Sequence, residues 1–126
     1  MTAEELSTAA ATGDTGRVCA LLQQGTGANA LNRFNRTAIQ VMMMGSTPVA
    51  KLLLSYGADP NVADGTGATP LHDAARGGFL DTVETLVQHD ANVHARDTSG
   101  RRAIDLALEN GHEDVVAFLE TQDVLV

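Results

Sequence analysis

Asp64 and Asp97 open two segments that repeat one another at a distance of 33 residues. Gly67 answers Gly100, Leu71 answers Ile104, Ala74 answers Ala107, Gly78 answers Gly111, and Val83 answers Val116. A further copy begins at Asn32, 32 residues before Asp64, with Thr37, Ile39, Val49, Leu52, Leu53 and Gly57 in register. The first copy, near Leu6, keeps Ala9, Ala10, Gly13, Val18, Leu21 and Leu22. Four repeats, 1–31, 32–63, 64–96 and 97–126, therefore account for nearly all of the 126 residues. Chains of this kind form a single domain of supersecondary units, each buried only against its neighbours.

The third repeat shows the unit most completely. Thr69 caps an orphan backbone N–H, and Pro70 fits the first helical position, where no N–H is needed. Leu71, Ala74, Ala75 and Gly78 fall at i, i+3, i+4 and i+7, a stripe of small residues that lets a second helix come close. Gly77-Gly78 ends the helix where a left-handed residue is required. Leu80, Val83, Leu86 and Val87 then share one face of a second helix, and so tight a turn makes the two antiparallel. A 33-residue period carrying T-P-L-H-x-A-A is the ankyrin signature. The fold expected is all-α, an ankyrin-repeat solenoid of four stacked helix–turn–helix units joined by β-turn or hairpin loops.

Composition narrows the function classes. Aromatic residues are only 3% of the chain, so the core is built from Ala, Leu, Val and Met, and stability is expected in the lower half of roughly 5–15 kcal/mol. A formal charge of −8 argues against nucleic acid and anionic membranes and favours a protein partner with a basic patch. A single cysteine, Cys19, excludes an internal disulfide and suits a reducing compartment. The first residues, MTAEELSTAA, lack the pattern of a signal peptide, and no apolar run approaches the roughly 20 residues that span a bilayer. A soluble intracellular monomer is expected, cytoplasmic and, at this size, nuclear by diffusion.

Each repeat departs from the pattern somewhere. The first helix, around Leu6 to Thr12, starts so near the terminus that no separate cap is visible. Cys19 has no basic neighbour in sequence and is expected to be a buried, inert thiol. In the second repeat, Thr37 to Gly45 spans 8 steps where Thr69 to Gly78 spans 9, so its first helix is one residue short. QVMMMGS there replaces HDAARGG, and Met42, Met43 and Met44 cannot all be buried. Methionine serves both cores and adaptable binding surfaces, so at least one of the three is expected to contact a partner. Asn35 stands where later repeats have glycine, and Asp90 where Gly57 ends the equivalent helix. Asn35 is the commonest non-glycine choice for a left-handed turn position, and Asp90 costs about 1 kcal/mol if its position is left-handed. The last repeat runs through helices at Ala103 to Asn110 and Glu113 to Glu120, with Ala103 and Asp105 in place of the usual proline and histidine. Glu109, Glu113 and Glu120 suit a solvent-facing cap, and Asp123 to Val126 should fray.

Little here suggests catalysis. His72 is placed to hydrogen-bond backbone between repeats. His89 and His94 lie five apart across a helix end, without a cysteine pair, which is not a metal geometry. No Gly-rich phosphate loop follows a strand. An enzyme, a metal and a cofactor are all disfavoured. Asp73 and Arg76 are of more interest. They lie three apart and off the buried stripe, fit either for an intrahelical ion pair or for contact with a partner. Asp81 suits a helix N-terminus or a basic partner equally. Phe79, in the turn between helices, can anchor a partner.

LNRFNRTAIQVMMMGS together with HDAARGGFLDT resembles the ankyrin-repeat inhibitors of the cyclin-D-dependent kinases, the inhibitor-of-kinase-four family. The likeness covers nearly the whole chain. Its most specific element is the shortened helix with QVMMMGS, and four repeats ending in GRRAIDLALENGH resemble the shorter members. The resemblance implies a non-enzymatic inhibitor that binds the monomeric kinase beside its ATP cleft, opposes the cyclin and arrests the cycle in its first gap phase. It further implies that Met42 and Met43 pack on the kinase N-lobe. Asp64, Asp73 and Asp81 would face basic kinase residues, with Arg76 and Phe79 beside them. Acids on a concave surface would steer such a partner. Family members often carry acids where this chain has Gly16 and Arg17, so the first repeat is expected to contribute less. The competing expectation is a generic ankyrin adaptor, with its contacts spread evenly over all repeats.

Overall fold

The computed structural model describes residues 2–124, with backbone alone for 123 and 124. Among the described residues the regular structure is entirely helical. The chain divides into two compact units, Met1–Asp59 and Pro60–Val126, each holding two repeats.

In the N-terminal unit the helices are α1 (Ala3–Ala11), α2 (Thr15–Gln23), α3 (Ala38–Val41) and α4 (Thr47–Ser55). α1 packs on α2 and α3, and α2 on α4. The faces that meet carry Leu6, Ala9, Ala10, Val18, Ile39 and Leu53, all buried. Ala9 and Ala10 on α1 keep the spacing small enough to bring backbone of one repeat within reach of the next. The Asn29 side chain donates to the Gly57 carbonyl at 2.9 Å and accepts from the Asp59 N–H at 2.7 Å.

The C-terminal unit repeats this plan with α5 (Pro70–Gly77), α6 (Leu80–Gln88), α7 (Ala103–Glu109) and α8 (Glu113–Val124). α5 packs on α6 and α7, and α8 on α6 and α7. Asn61 plays the part of Asn29, donating to the Asp90 carbonyl at 3.1 Å and accepting from the Asn92 N–H at 2.7 Å. His72, fully buried, joins the same two repeats by its ring. Nδ1 accepts from the Thr69 N–H at 3.1 Å, and Nε2 donates to the Arg101 carbonyl at 2.8 Å, so the Nε2–H tautomer satisfies both ends. In the neighbouring repeats Gln40 and Asp105 hold the same helix start, accepting from the N–H of Thr37 and Arg102 at 2.8 Å each. Asp105 thus takes over the histidine's local bond without its reach to another repeat.

Each loop between repeats is an Asx-pinned turn. One side-chain oxygen of Asn32, Asp64 and Asp97 accepts from the backbone N–H groups two and four residues on. At Asp97 these backbone donors hold the carboxyl below its ordinary value of 3.8. Asn35 and Asp90 are left-handed, with φ of 62° and 71°, so the condition attached to Asp90 is met.

Three local expectations change. α1 does have a cap, since Thr2 Oγ1 accepts from the Glu5 N–H at 3.1 Å and the helix begins at Ala3. Cys19 is half-buried rather than enclosed, because the buried face of α2 is given to Val18, Leu21 and Leu22. α8 continues past Glu120, and the backbone of Asp123 and Val124 is helical where a frayed tail was expected. Leu125 and Val126, the rest of that tail, lie outside the described residues. Beyond these, Thr82 and Thr85 on α6 are buried alongside its aliphatic face, which the sequence reading did not address. The Thr85 hydroxyl turns inward because it donates to the Asp81 carbonyl at 2.8 Å.

Two substitutions test this arrangement. His72→Ala orphans the Arg101 carbonyl and the Thr69 N–H, and is expected to lower unfolding free energy by about 3 kcal/mol in urea titration. Asp90→Gly removes a Cβ from a left-handed position and is expected to raise it by about 1 kcal/mol.

Candidate functional site

The second repeat's shortened helix is a single turn. α3 ends at Val41, and Met42 leaves the helix with φ −59° and ψ 156°. That exit sends consecutive methionines to different sides. Met42 is buried, at 4% exposure, whereas Met43 is 47% exposed. Met42 is therefore part of the core in this structure, and of the pair only Met43 has its side chain open to water. Met43 is also well held. Its N–H donates to the Ala10 carbonyl at 2.9 Å, and its sulfur covers Gly13 in the first repeat. The turn leaves one polar atom unserved, since the buried Thr37 hydroxyl finds no partner.

In the C-terminal unit the expected residues gather on α5, the turn after it and the start of α6. Asp73 accepts from Arg76 at 3.2 Å, an ion pair with side chains 31% and 48% exposed. Such a pair is worth a few tenths of a kcal/mol. Burial pushes the Asp73 carboxyl above its ordinary value, Arg76 opposes the shift, and the charge of Asp64 adds to it. Asp64 itself has one oxygen taken by its own turn, accepting from Thr66 N, Thr66 Oγ1 and Ala68 N at 2.8, 2.6 and 3.1 Å. Asp81 is exposed in the first turn of α6, where the helix dipole favours it.

Phe79 occupies the N-cap position of α6 and makes no capping bond there. In the N-terminal unit the same position belongs to Asp14 and Ser46, whose side chains accept from Arg17 N and Val49 N. Replacing such a cap by a residue that cannot serve costs about 1 kcal/mol. The ring covers Gly77, leaving no room for a Cβ there, yet remains 41% exposed.

The turn itself depends on Gly78, at φ 76°. Sequence reasoning saw the left-handed requirement and missed a second one, that the His112 ring from the next repeat lies directly over this glycine. The signal lay in the repeat alignment, which puts Phe79 and His112 at equivalent positions.

Charge is divided unevenly between the units. Residues 1–59 carry four basic and four acidic side chains, residues 60–126 four basic and twelve acidic, so the whole formal charge of −8 belongs to the C-terminal unit. Arg17, in place of an acid in the first repeat, pairs with Glu5 at 2.9 Å.

A family profile described as Ankyrin repeats (3 copies) matches residues 6–97 and again 43–124. The chain is 53% identical to the human protein "Cyclin-dependent kinase 4 inhibitor B" over 94% of its length and 86% of that protein's. It is 55% identical to "Cyclin-dependent kinase inhibitor 2A" of Monodelphis domestica, over 92% of this chain and 68% of the relative. To the human "Cyclin-dependent kinase inhibitor 2A" it is 52% identical, over 93% and 76%. With its repeats, its helices and these relatives in agreement, the chain belongs to the ankyrin-repeat family of cyclin-dependent kinase inhibitors.

Proposed function

We propose that this chain inhibits cyclin-D-dependent kinases without any catalysis of its own. It binds the monomeric kinase beside the ATP cleft, opposes cyclin binding and activity, and so restrains entry into the cell cycle. Among the described residues no helix is long and apolar enough to cross a membrane. A 13.2 kDa chain can diffuse between cytoplasm and nucleus, and we place its action in both.

The observation that carries this reading is the corner formed by Asp73, Arg76, Phe79 and Asp81. Two of its residues sit against the interest of the fold. Phe79 stands where a capping side chain belongs, and Asp73 holds a carboxylate where burial disfavours its charge. Features at odds with the fold, placed at its surface, support reading these residues as partner contacts. The charge of the C-terminal unit suits a basic surface on that partner, with Asp64 adding its carboxylate and Met43 an apolar contact from the N-terminal unit. An even spread of contacts, as in a general adaptor, accords poorly with acids concentrated in two repeats.

Asp73→Asn separates fold from function. A carboxyl raised in the folded state contributes stability below its unfolded value near 3.8 and loses it as pH rises through the folded value. The asparagine variant is therefore expected to be more stable than wild type at pH 7 and no more stable at pH 3, by thermal unfolding. Its affinity for the monomeric kinase, by calorimetric titration, should fall about five- to tenfold. Binding within twofold of wild type removes Asp73 from the site. Phe79→Ser restores a capping hydroxyl worth about 1 kcal/mol against the lost ring packing, so stability should change little. Kinase affinity should fall about 30-fold or more, the scale of an interface anchor.

A further inference from the structure

His112 is used by neither the helix core nor the residues assigned to the kinase, yet it bridges two repeats at the site's own turn. Its backbone is fixed by the α7–α8 turn. The His112 N–H donates to the Ala107 carbonyl at 2.9 Å, and its carbonyl accepts from the Val116 N–H at 3.1 Å. From there the ring reaches back to the end of α5. Nε2 donates to the Arg76 carbonyl at 3.0 Å.

That carbonyl needs the bond. In a continuing helix it would accept from the Leu80 N–H, but the Leu80 N–H turns to the Gly78 carbonyl at 3.1 Å. The ring also lies against Gly78 so closely that a Cβ built there would sit 2.5 Å from Nδ1 and 2.7 Å from Cε1. Gly78 separates Arg76 from Phe79, and its φ of 76° sets the direction in which the chain leaves α5. The same three residues, Arg76, Gly78 and Phe79, thus take their relative placement partly from a side chain in the next repeat.

The geometry points to His112 as a positioning residue for the docking corner. By bonding the Arg76 carbonyl and covering Gly78 it holds the turn that presents Arg76, Phe79 and Asp81 to the kinase. The inference rests on the kinase reading above and adds to it a residue that never touches the partner. It also gives the last repeat a role beyond closing the hydrophobic stack.

The test compares wild type, His112→Ala and His112→Gln in calorimetric titration with the monomeric kinase, at a temperature where circular dichroism shows each chain folded. Glutamine can still donate to the Arg76 carbonyl. The alanine variant is expected to bind about tenfold more weakly, with glutamine recovering a good part of the loss. A cycle with Phe79→Ala should be non-additive, because without the clamp the ring is already misplaced. Hydrogen exchange on the free chain gives a readout independent of any kinase. The amides of Gly78, Phe79 and Leu80 should exchange faster in His112→Ala, while Ala74 and Ala75 within α5 keep their protection. Equal affinity for alanine and wild type, additivity with Phe79→Ala, or unchanged exchange at these amides would overturn the inference. If the alanine variant does not fold, the comparison of glutamine with wild type decides it by the same cycle and exchange. Failure of wild type to bind overturns the kinase reading instead, and the exchange result then still judges whether His112 positions the turn.

Discussion

A helix of seven to nine residues is marginal in water, because fixing its first turn costs more than so few further hydrogen bonds return. None of α1, α2 and α4 to α7 exceeds nine residues, and α3 has four. What holds them is the close approach of alanine-lined faces, which brings side-chain donors and acceptors of one repeat onto the backbone of the next. Asn29 and Asn61 do this at the loops, and His72 does it at the helix starts. Each bond joins groups about thirty residues apart, so the order of one repeat is conditional on its neighbour. A wider spacing of α5 and α7, with larger residues at Ala74 or Ala107, would put the partners of Asn61 and His72 out of reach.

The same close packing explains how the site is built. Short helices give a displayed side chain little rigid support, and at one place in each unit the chain fixes an exposed apolar side chain against glycine. Met43 lies over Gly13 and Phe79 over Gly77, and the two stay open to water at 47% and 41% exposure. A glycine surface gives an apolar side chain something flat to rest on without enclosing it. Rigidity then comes from packing, and affinity is not lost to ordering the side chain when a partner arrives.

Much of this was legible in the sequence because it is local chemistry repeated at a fixed period. Gly78 ends its helix where a left-handed residue is required, alignment with glycine pointed the same way at Asn35 and raised the question at Asp90, and the TPLH histidine announced its reach between repeats. The rest depended on geometry that spacing does not carry. Three consecutive methionines look alike in sequence. Which one faces water follows from the residue at which α3 unwinds, and the backbone at Met42 turns so that its own side chain goes inward. Thr82 and Thr85 read as polar but are buried, Thr85 by way of a backbone acceptor within its own helix. His112 sits in a GH dipeptide that periodicity treats as a helix boundary, and only the approach of two repeats reveals what its ring covers.

The carboxylates show how one residue type takes two duties under one net charge. Asp64 and Asp97 spend an oxygen on the N–H groups of their own turns, and for Asp97 those donors favour the ionised form. In the second repeat the equivalent bonds are made by the amide oxygen of Asn32, which shows that the turn needs an acceptor and not a charge. Asp73 is the opposite case, a carboxylate whose ionised form burial disfavours and whose main support is Arg76. The turns would survive neutral substitution, and the fold would gain from it at Asp73. A formal charge of −8 is therefore not something this architecture requires. Its concentration in residues 60–126 fits the basic partner surface of the function proposed above.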